Sequence, residues 1–447
     1  MRKHLRFLMM AAAILFVNVA KAADDVTVGD LRYNFYSSGK ACVKGFAGES
    51  KASITIPGSI TYEVESESKT VEVAGIGNNA FKDNTVLEEV TIENTVTFNF
   101  NTGCFEGCTN LKKVVTTDLT YFLNGQRAFK NCTSLTQLGP TENVVRLGSN
   151  TNAEYEEVFM GCTSITKIGY KYYSTKIGKA WFKGCTNLTA PALINASVVG
   201  ESAFEGCTAL PYLNLLTTSN RALAFGKNAF KDCTSLAYVY LVQDARPVEE
   251  LPDGVFEGCT SLAVISNYVH NSETNKYNPV SDLKLTRIGN NAFKGCTALT
   301  EVGNYKNRAL LDGVAEIGVS AFEGCSALPR VDFTEGVTSI GSRAFANCEA
   351  LATVTAPWTT PFAIENSVFS YATYTDATLN VPEGAEATYQ ATGGWQNFYD
   401  TTGIKLATED DALNGNDAWF TIDGKRLQAE PTTKGIYVRG GKKIVVK

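Results

Sequence analysis

Histidine is nearly missing from this chain: two in 447 residues, His4 and His270. His4 stands in an apolar leader, so His270 is alone in the remainder. That excludes His-based triads, multi-histidine metal sites and most general-base schemes. No C-x-x-C, H-E-x-x-H, G-x-S-x-G or P-loop pattern occurs, so no motif marks a metal, nucleophile or nucleotide site. Beyond the leader there is no apolar run of the roughly 20 residues that a membrane span needs. A basic excess is also missing. The formal charge is −6, and it moves to −10 when the leader's Arg2, Lys3, Arg6 and Lys21 are removed. An acidic chain without a basic tract argues against nucleic acid and against an anionic membrane surface as partners. Carboxylates are plentiful but scattered. Glu409 to Asp411 reads as solvated linker, and a glycoside hydrolase-type carboxylate pair has the least support of the functional readings.

The leader itself is informative. Arg2, Lys3 and Arg6 form a basic start, Phe7 to Val19 is almost wholly apolar, and Ala20-Lys21-Ala22 is a small-x-small cleavage site. This pattern predicts a secretory signal peptide over residues 1–22. The expected location is therefore outside the cytoplasm: outer surface, secreted or periplasmic.

What is abundant is repetition. Aligning on one phenylalanine gives Phe81, Phe105, Phe129, Phe159, Phe182, Phe204, Phe230, Phe256, Phe293, Phe322 and Phe345, with Phe369 as a degenerate last copy. The unit is 22 to 26 residues, with insertions in three places. Its fullest form is I-G-x-x-A-F-x-x-C-x-x-L-x-x-V, as in Ile317 to Val331 and Ile340 to Val354. Ala, Cys and Leu at relative positions 0, 4 and 7 share one face of a short helical turn. The following L-x-x-V stretch is extended and β-branched. A glycine three residues before each Ala-Phe pair marks the bend between them. One strand and one turn cannot bury their own apolar faces, but stacked units can.

This phrase resembles the BspA-like leucine-rich repeat of bacterial surface proteins, over about Ile76 to Val354. The resemblance implies a repeat solenoid of α/β type, a BspA-like leucine-rich repeat arch of about 11–12 units of 22–26 residues. Each unit would supply one strand and one short helix or turn, with N- and C-terminal caps and a small β tail. The expected organisation is a signal peptide (1–22), an N-terminal β cap (23–75) and the solenoid (76–357). A degenerate last repeat with a capping helix (358–404), a linker (405–417) and a β tail (418–447) follow. Within the cap, strands are expected near Leu31–Tyr36, Ala52–Ile56 and Val71–Val73. In the tail, three are expected at Trp419–Ile422, Ile436–Val438 and Ile444–Val446. The tail resembles C-terminal modules of secreted Bacteroidetes proteins, some of which direct sorting and surface attachment. The family implies binding to proteins or surfaces rather than catalysis, and no cofactor.

Ten of the twelve cysteines occupy one repeat slot, among them Cys108, Cys132, Cys207, Cys296 and Cys325, beside the plugs Phe105, Phe129, Phe204, Phe293 and Phe322. A residue recurring once per unit forms a ladder. Helical turns would hold ladder neighbours roughly 10 Å apart, beyond disulfide reach. Free, buried, packing thiols are therefore expected.

Partner recognition is expected on the outward slots between the inward Leu, Val and Ile of each L-x-x-V-x-I strand. Those slots include Glu89, Lys113, Gln137, Lys167, Tyr212, Asn214, Tyr238 and Tyr240. The tyrosines fall on adjacent repeats, and exposed tyrosine is enriched at binding surfaces. The alternative is that the rings only cover the sheet. The longest insertion, Ser266 to Arg287, is expected to leave the array as a loop carrying Tyr268 and His270. The leading functional reading is a non-enzymatic surface protein that binds a host or microbial protein in adhesion. A glycan-binding surface protein is the alternative.

Overall fold

The structure is a computed structural model. It describes residues 25–93, 98–116, 121–147, 155–170, 176–191, 198–217, 224–243, 248–271, 276–279, 285–302 and 313–404. In the tail it describes 419–421, 426–427, 431–432, 435–439 and 442–446. The signal-peptide and linker readings lie outside these residues. The chain divides into two compact units, Met1–Arg246 and Pro247–Lys447.

Each unit is a stack of coils, and each full coil has three arms. In the first unit the L-x-x-V strands stack in parallel from Ser53–Ile56 through Glu89–Ile92 and Lys113–Thr116 to Gln137–Leu138. The insertion before Phe159 adds one strand to this sheet, Val145–Leu147, which leads on to Lys167–Tyr170 and Ala190–Pro191. A second arm is a two-residue strand formed around the isoleucine of I-G. It pairs in parallel at Lys176–Ile177, Val198–Val199 and Ala224–Phe225 in the first unit. In the second unit it runs from Glu250–Leu251 through Arg287–Ile288 and Glu316–Ile317 to Ser339–Ile340. Such a strand is too short to show any periodicity, so the repeat pattern reveals one strand where the coil has two.

The third arm holds the A-F-x-x-C segment, and it is a chain of turns rather than a helix. Two slots in each repeat stop a helix from forming. The residue two before the phenylalanine has positive φ in all eleven copies, from Asn79 (54°) through Arg127 (57°) and Ala180 (52°) to Arg343 (60°). The residue immediately before the cysteine slot also does so: Asp83 (57°), Gly107 (76°), Asn131 (60°) and their counterparts. Left-handed residues break the right-handed run, and Gly, Asn and Asp tolerate them best. Backbone N–H groups then alternate. Ala80 and Lys82 donate back three residues to Gly77 and Asn79, whereas Asn79, Phe81 and Asp83 donate to Thr102, Cys104 and Glu106 of the next coil at 2.9, 2.9 and 2.7 Å.

Direct hydrogen bonding between turn arms sets the coil spacing there. The repeat phenylalanines stack face to face with centroids 5.1 to 5.7 Å apart, as in Phe322–Phe345 (5.1 Å) and Phe256–Phe293 (5.7 Å). Such ring pairs contribute about 0.5–1.5 kcal/mol each beyond area burial. The expected roughly 10 Å separation of ladder neighbours is thereby corrected: without helices, the turn arm packs nearly as closely as a sheet. All twelve cysteines are nevertheless unbridged and buried. Nine ladder thiols donate to the carbonyl of the preceding coil's phenylalanine, from Cys108 Sγ to Phe81 O at 2.9 Å to Cys185 Sγ to Phe159 O at 3.3 Å. The thiol is thus a once-per-coil hydrogen bond as well as a filler. In the first copy Asn84 replaces it and caps Val86 N and Leu87 N through Oδ1.

The N-terminal cap has more strands than expected. Val26–Val28, Leu31–Phe35 and Ala41–Phe46 form an antiparallel meander, and Ser59–Val64 forms a hairpin with Glu67–Ile76. The latter strand also pairs in parallel with Ala41–Phe46. In the second unit, Arg330–Asp332, Thr353–Thr355, Thr378–Pro382 and Asp400–Ile404 stack in parallel. Helices Tyr371–Asp376 and Glu386–Gln390 flank the last strands, and a 3-10 turn at Trp395–Asn397 plugs the end with the fully buried Trp395. Among the described residues the tail holds four antiparallel strands rather than three, the added one being Arg426–Leu427 paired with Trp419–Phe420. Its charged sequence shows no apolar run to betray it.

Candidate interaction surface

Alternation along the strand arm decides which side chains meet water. In Tyr212–Thr217, Leu213 is fully buried while Tyr212 is 49% exposed. In Tyr238–Gln243, Val239 is buried while Tyr238 is 46% exposed. The two strands pair in parallel over six residues, with Tyr212 opposite Tyr238 and Asn214 opposite Tyr240. In-register parallel neighbours lie about 4.8 Å apart, so the two phenol side chains stand side by side. In the preceding repeat the same slot is Ala190, opposite an exposed Lys167.

The other expected positions divide differently. Gln137 is a correction: it is 4% exposed, with its side chain turned to its own loop, Nε2 donating to Gly139 O at 3.0 Å. Tyr268 and His270 lie in the second unit. The first part of their insertion is not a loop but a continuation of the repeat strand, Val264–Asn271, which turns back through Lys276–Pro279. His270 pairs with Tyr277 in that hairpin. The ladder residues Phe105, Cys108, Phe129, Cys132, Phe204, Cys207, Phe293, Cys296, Phe322 and Cys325 are each fully buried. One feature escaped the sequence pattern. An open cavity of about 420 Å³ in the N-terminal cap is lined by Tyr36, Ser37, Ser38, Lys40, Ala74 and Asn99. Its Lys40 is paired with Glu72 at 2.9 Å.

The turn arm presents a different surface. The slot after the phenylalanine reads Lys82, Glu106, Lys130, then, past Met160, Lys183, Glu205, Lys231, Glu257, Lys294 and Glu323, ending at Ala346. In-register stacking places like positions side by side, so a constant charge there would repel itself. Alternation instead pairs Lys82 with Glu106, Lys183 with Glu205 and Lys294 with Glu323, at 3.4, 2.9 and 3.2 Å. The face is largely self-neutralised and offers little net field to a partner.

Glu323 is the most enclosed member. It accepts from Arg343 Nη2 and faces Lys294. The Arg343 hydrogen bond, aided by Ser320 and Lys294 and opposed by desolvation, holds its carboxyl down at about 2, against an ordinary 4.5. A carboxyl lowered on folding stabilises fully above its unfolded value and loses that contribution as pH falls through its folded value. Urea melts of the wild type are expected to show midpoints declining between about pH 4.5 and 2. Glu323→Gln should flatten part of that decline and start from a lower midpoint at pH 7. Parallel profiles for the two proteins would refute the role assigned to the pair.

Among the described residues, no group of three or more His, Cys, Asp and Glu could hold a metal ion. No helix among them is long and apolar enough to cross a membrane.

Parallel coils with a buried Leu, Val and Phe core and a once-per-coil ladder define a solenoid of the leucine-rich-repeat class. The BspA type leucine rich repeat region matches residues 44–155, 152–277 and 286–391, in six copies. The chain belongs to that family. Its fold is shared by a leucine rich cell surface protein from Faecalibacterium prausnitzii, 22% identical, covering 84% of this chain and 99% of that one with a TM-score of 0.50. A leucine-rich repeat protein from Bacteroides ovatus is 21% identical over 74% of this chain and 94% of its own, with a TM-score of 0.38. No curated protein matches the sequence.

Proposed function

We propose that this chain is an exported, non-catalytic interaction protein that takes a partner protein on the strand face of its first unit, centred on Tyr212 and Tyr238. The observation carrying this reading is the in-register pair of half-exposed rings above fully buried Leu213 and Val239. The paired strands fix both backbones before the partner arrives, so only the two side chains remain to be ordered on binding. Aromatic side chains held in this way are the usual anchors of protein interfaces. Membership of a repeat family with a cell surface relative supports an extracellular setting, as does the signal-like leader. The tail is read as a sorting or attachment module. A glycan is the second reading, because the same two rings form an apolar strip on which a sugar face stacks.

The test is a double substitution, Tyr212→Ala with Tyr238→Ala, screened beside the wild type on matrix-protein and glycan arrays. The wild type is expected to bind a protein, and the variant to lose about 30-fold or more in affinity, the scale of one hot spot of 2 kcal/mol. Its circular dichroism should be unchanged, since both rings are half in water. Undiminished protein binding would remove this patch from consideration. Binding to glycans alone would move the function to the second reading.

A further inference from the structure

The buried thiols have no part in the interaction surface, and their arrangement is unusual for groups that oxidise readily. The ladder repeats at the spacing of the coils, which the ring stack places at 5.1 to 5.7 Å. Cα atoms at that spacing fall inside the bridging range of about 4.4–6.8 Å. The Cβ atoms do not fit. Residues related by simple stacking have parallel Cα–Cβ bonds, so their Cβ atoms keep the coil spacing, whereas a disulfide draws them to about 3.5–4.5 Å. The thiols are also committed to carbonyls of the preceding coil: Cys207 Sγ to Phe182 O and Cys233 Sγ to Phe204 O, both at 3.1 Å.

We propose that the cysteine ladder is an oxidation-sensitive device: thiols that cannot bridge while the coils are stacked, but that bridge to a neighbour and trap the array open once the coils part. The chemistry is thiol–disulfide exchange with a small disulfide such as oxidised glutathione. In an opened array the Cys207 thiolate attacks one glutathione sulfur and releases the other glutathione as a thiolate, which takes up a proton. The Cys233 thiolate then attacks the Cys207 sulfur, forming the protein disulfide and releasing the second glutathione. Two protein thiols are oxidised and one glutathione disulfide is reduced to two thiols. In the stacked state both attacks fail. Cys207 and Cys233 are fully buried, so the oxidant has no path to them. Burial also pushes ladder thiols up, Cys108 and Cys348 to about 12, which leaves almost no thiolate. After bridging, the shortened Cβ separation opposes the ring stack and the interarm backbone bonds, so the coil cannot close. The consequence is an order of events: the coils must stack before the chain meets a disulfide oxidant.

The full chain is incubated with millimolar glutathione disulfide, either in buffer or in urea just below the unfolding midpoint. It is then diluted into buffer, with remaining thiols alkylated and disulfides mapped by mass spectrometry. In buffer, the ladder thiols are expected to remain free and the circular dichroism unchanged. In urea, disulfides between neighbouring ladder positions are expected, and native signal should return only when dithiothreitol is added. A sample taken through urea without oxidant should recover fully. A variant with alternate ladder cysteines changed to serine (Cys132, Cys185, Cys233, Cys296 and Cys348) has no ladder neighbours to bridge and should recover without reductant. Bridging in buffer with native signal retained would overturn the proposal. So would recovery of the bridged wild type without reductant, or trapping of the serine variant to the same extent as the wild type.

Discussion

Replacing Phe204 by alanine is expected to lower the stability of the first unit by about 3–5 kcal/mol, the range for removing a buried phenylalanine. Its ring is fully buried and stacks on Phe182 at 5.4 Å and on Phe230 at 5.5 Å, with interplanar angles of 14° and 5°. Truncation therefore removes two ring contacts and leaves a cavity between them. The cavity cannot collapse, because the coils above and below are held by backbone bonds from Phe204 N to Ala229 O and from Phe182 N to Ala203 O, both 2.8 Å. In a solenoid, stability is largely a sum of nearest-neighbour terms, and this substitution weakens two of them together. Cys207→Ala is the internal comparison. It removes a small side chain and one hydrogen bond to Phe182 O, and about 1 kcal/mol is expected from the bond. Urea midpoints of the two variants should separate clearly. Equal shifts would mean that the ring stack does not hold the coils.

The core was legible because it repeats. Phe, Cys and Leu return to one slot each, and any residue that recurs once per coil must face the same neighbour in the next coil. The outward slots at Tyr212 and Tyr238 were legible for the same reason, since strand alternation fixes them relative to Leu213 and Val239. The turn arm was misread because its signal sits at positions that vary. The left-handed slot holds Arg127, Glu157 and Ala180 as readily as Asn79. Those residues carry no turn propensity, and φ there is imposed by hydrogen bonds to the next coil. Gln137 failed for a different reason: its amide donates to Gly139 O two residues on, a local bond that strand alternation does not announce. The Lys and Glu alternation after nine of the eleven phenylalanines was present in the sequence, but it acquires meaning only once the turn arms are known to touch.

The glycine three residues before each Ala-Phe pair was read as a bend, and the structure gives it a different task. Gly341 has an ordinary backbone, without positive φ. Yet a Cβ added there would lie 2.5 Å from Val319 N and 2.6 Å from Gly318 C. The same approach recurs at Gly226 against Glu201 N (2.3 Å) and at Gly318 against Asn290 N (2.5 Å). Here one coil's backbone rests on the next, and Gly341 N donates to Ile317 O at 2.8 Å. Gly341→Ala is therefore expected to cost about 3 kcal/mol, the upper end for overpacking, because backbone cannot rotate away as a side chain can. Gly324 provides the contrast. Its φ is +76°, but an added Cβ would come no nearer than 3.7 Å, to Gly295 Cα. Gly324→Ala should then cost only the left-handed strain, about 1–2 kcal/mol. Gly324→Asn should be milder still, since Asn131 and Asn347 hold that slot in other repeats. Urea midpoints should be highest for Gly324→Asn, lower for Gly324→Ala and lowest for Gly341→Ala. If Gly341→Ala proves no worse than Gly324→Ala, the glycine serves the bend after all, and the coils have room to spare where they are drawn tightest.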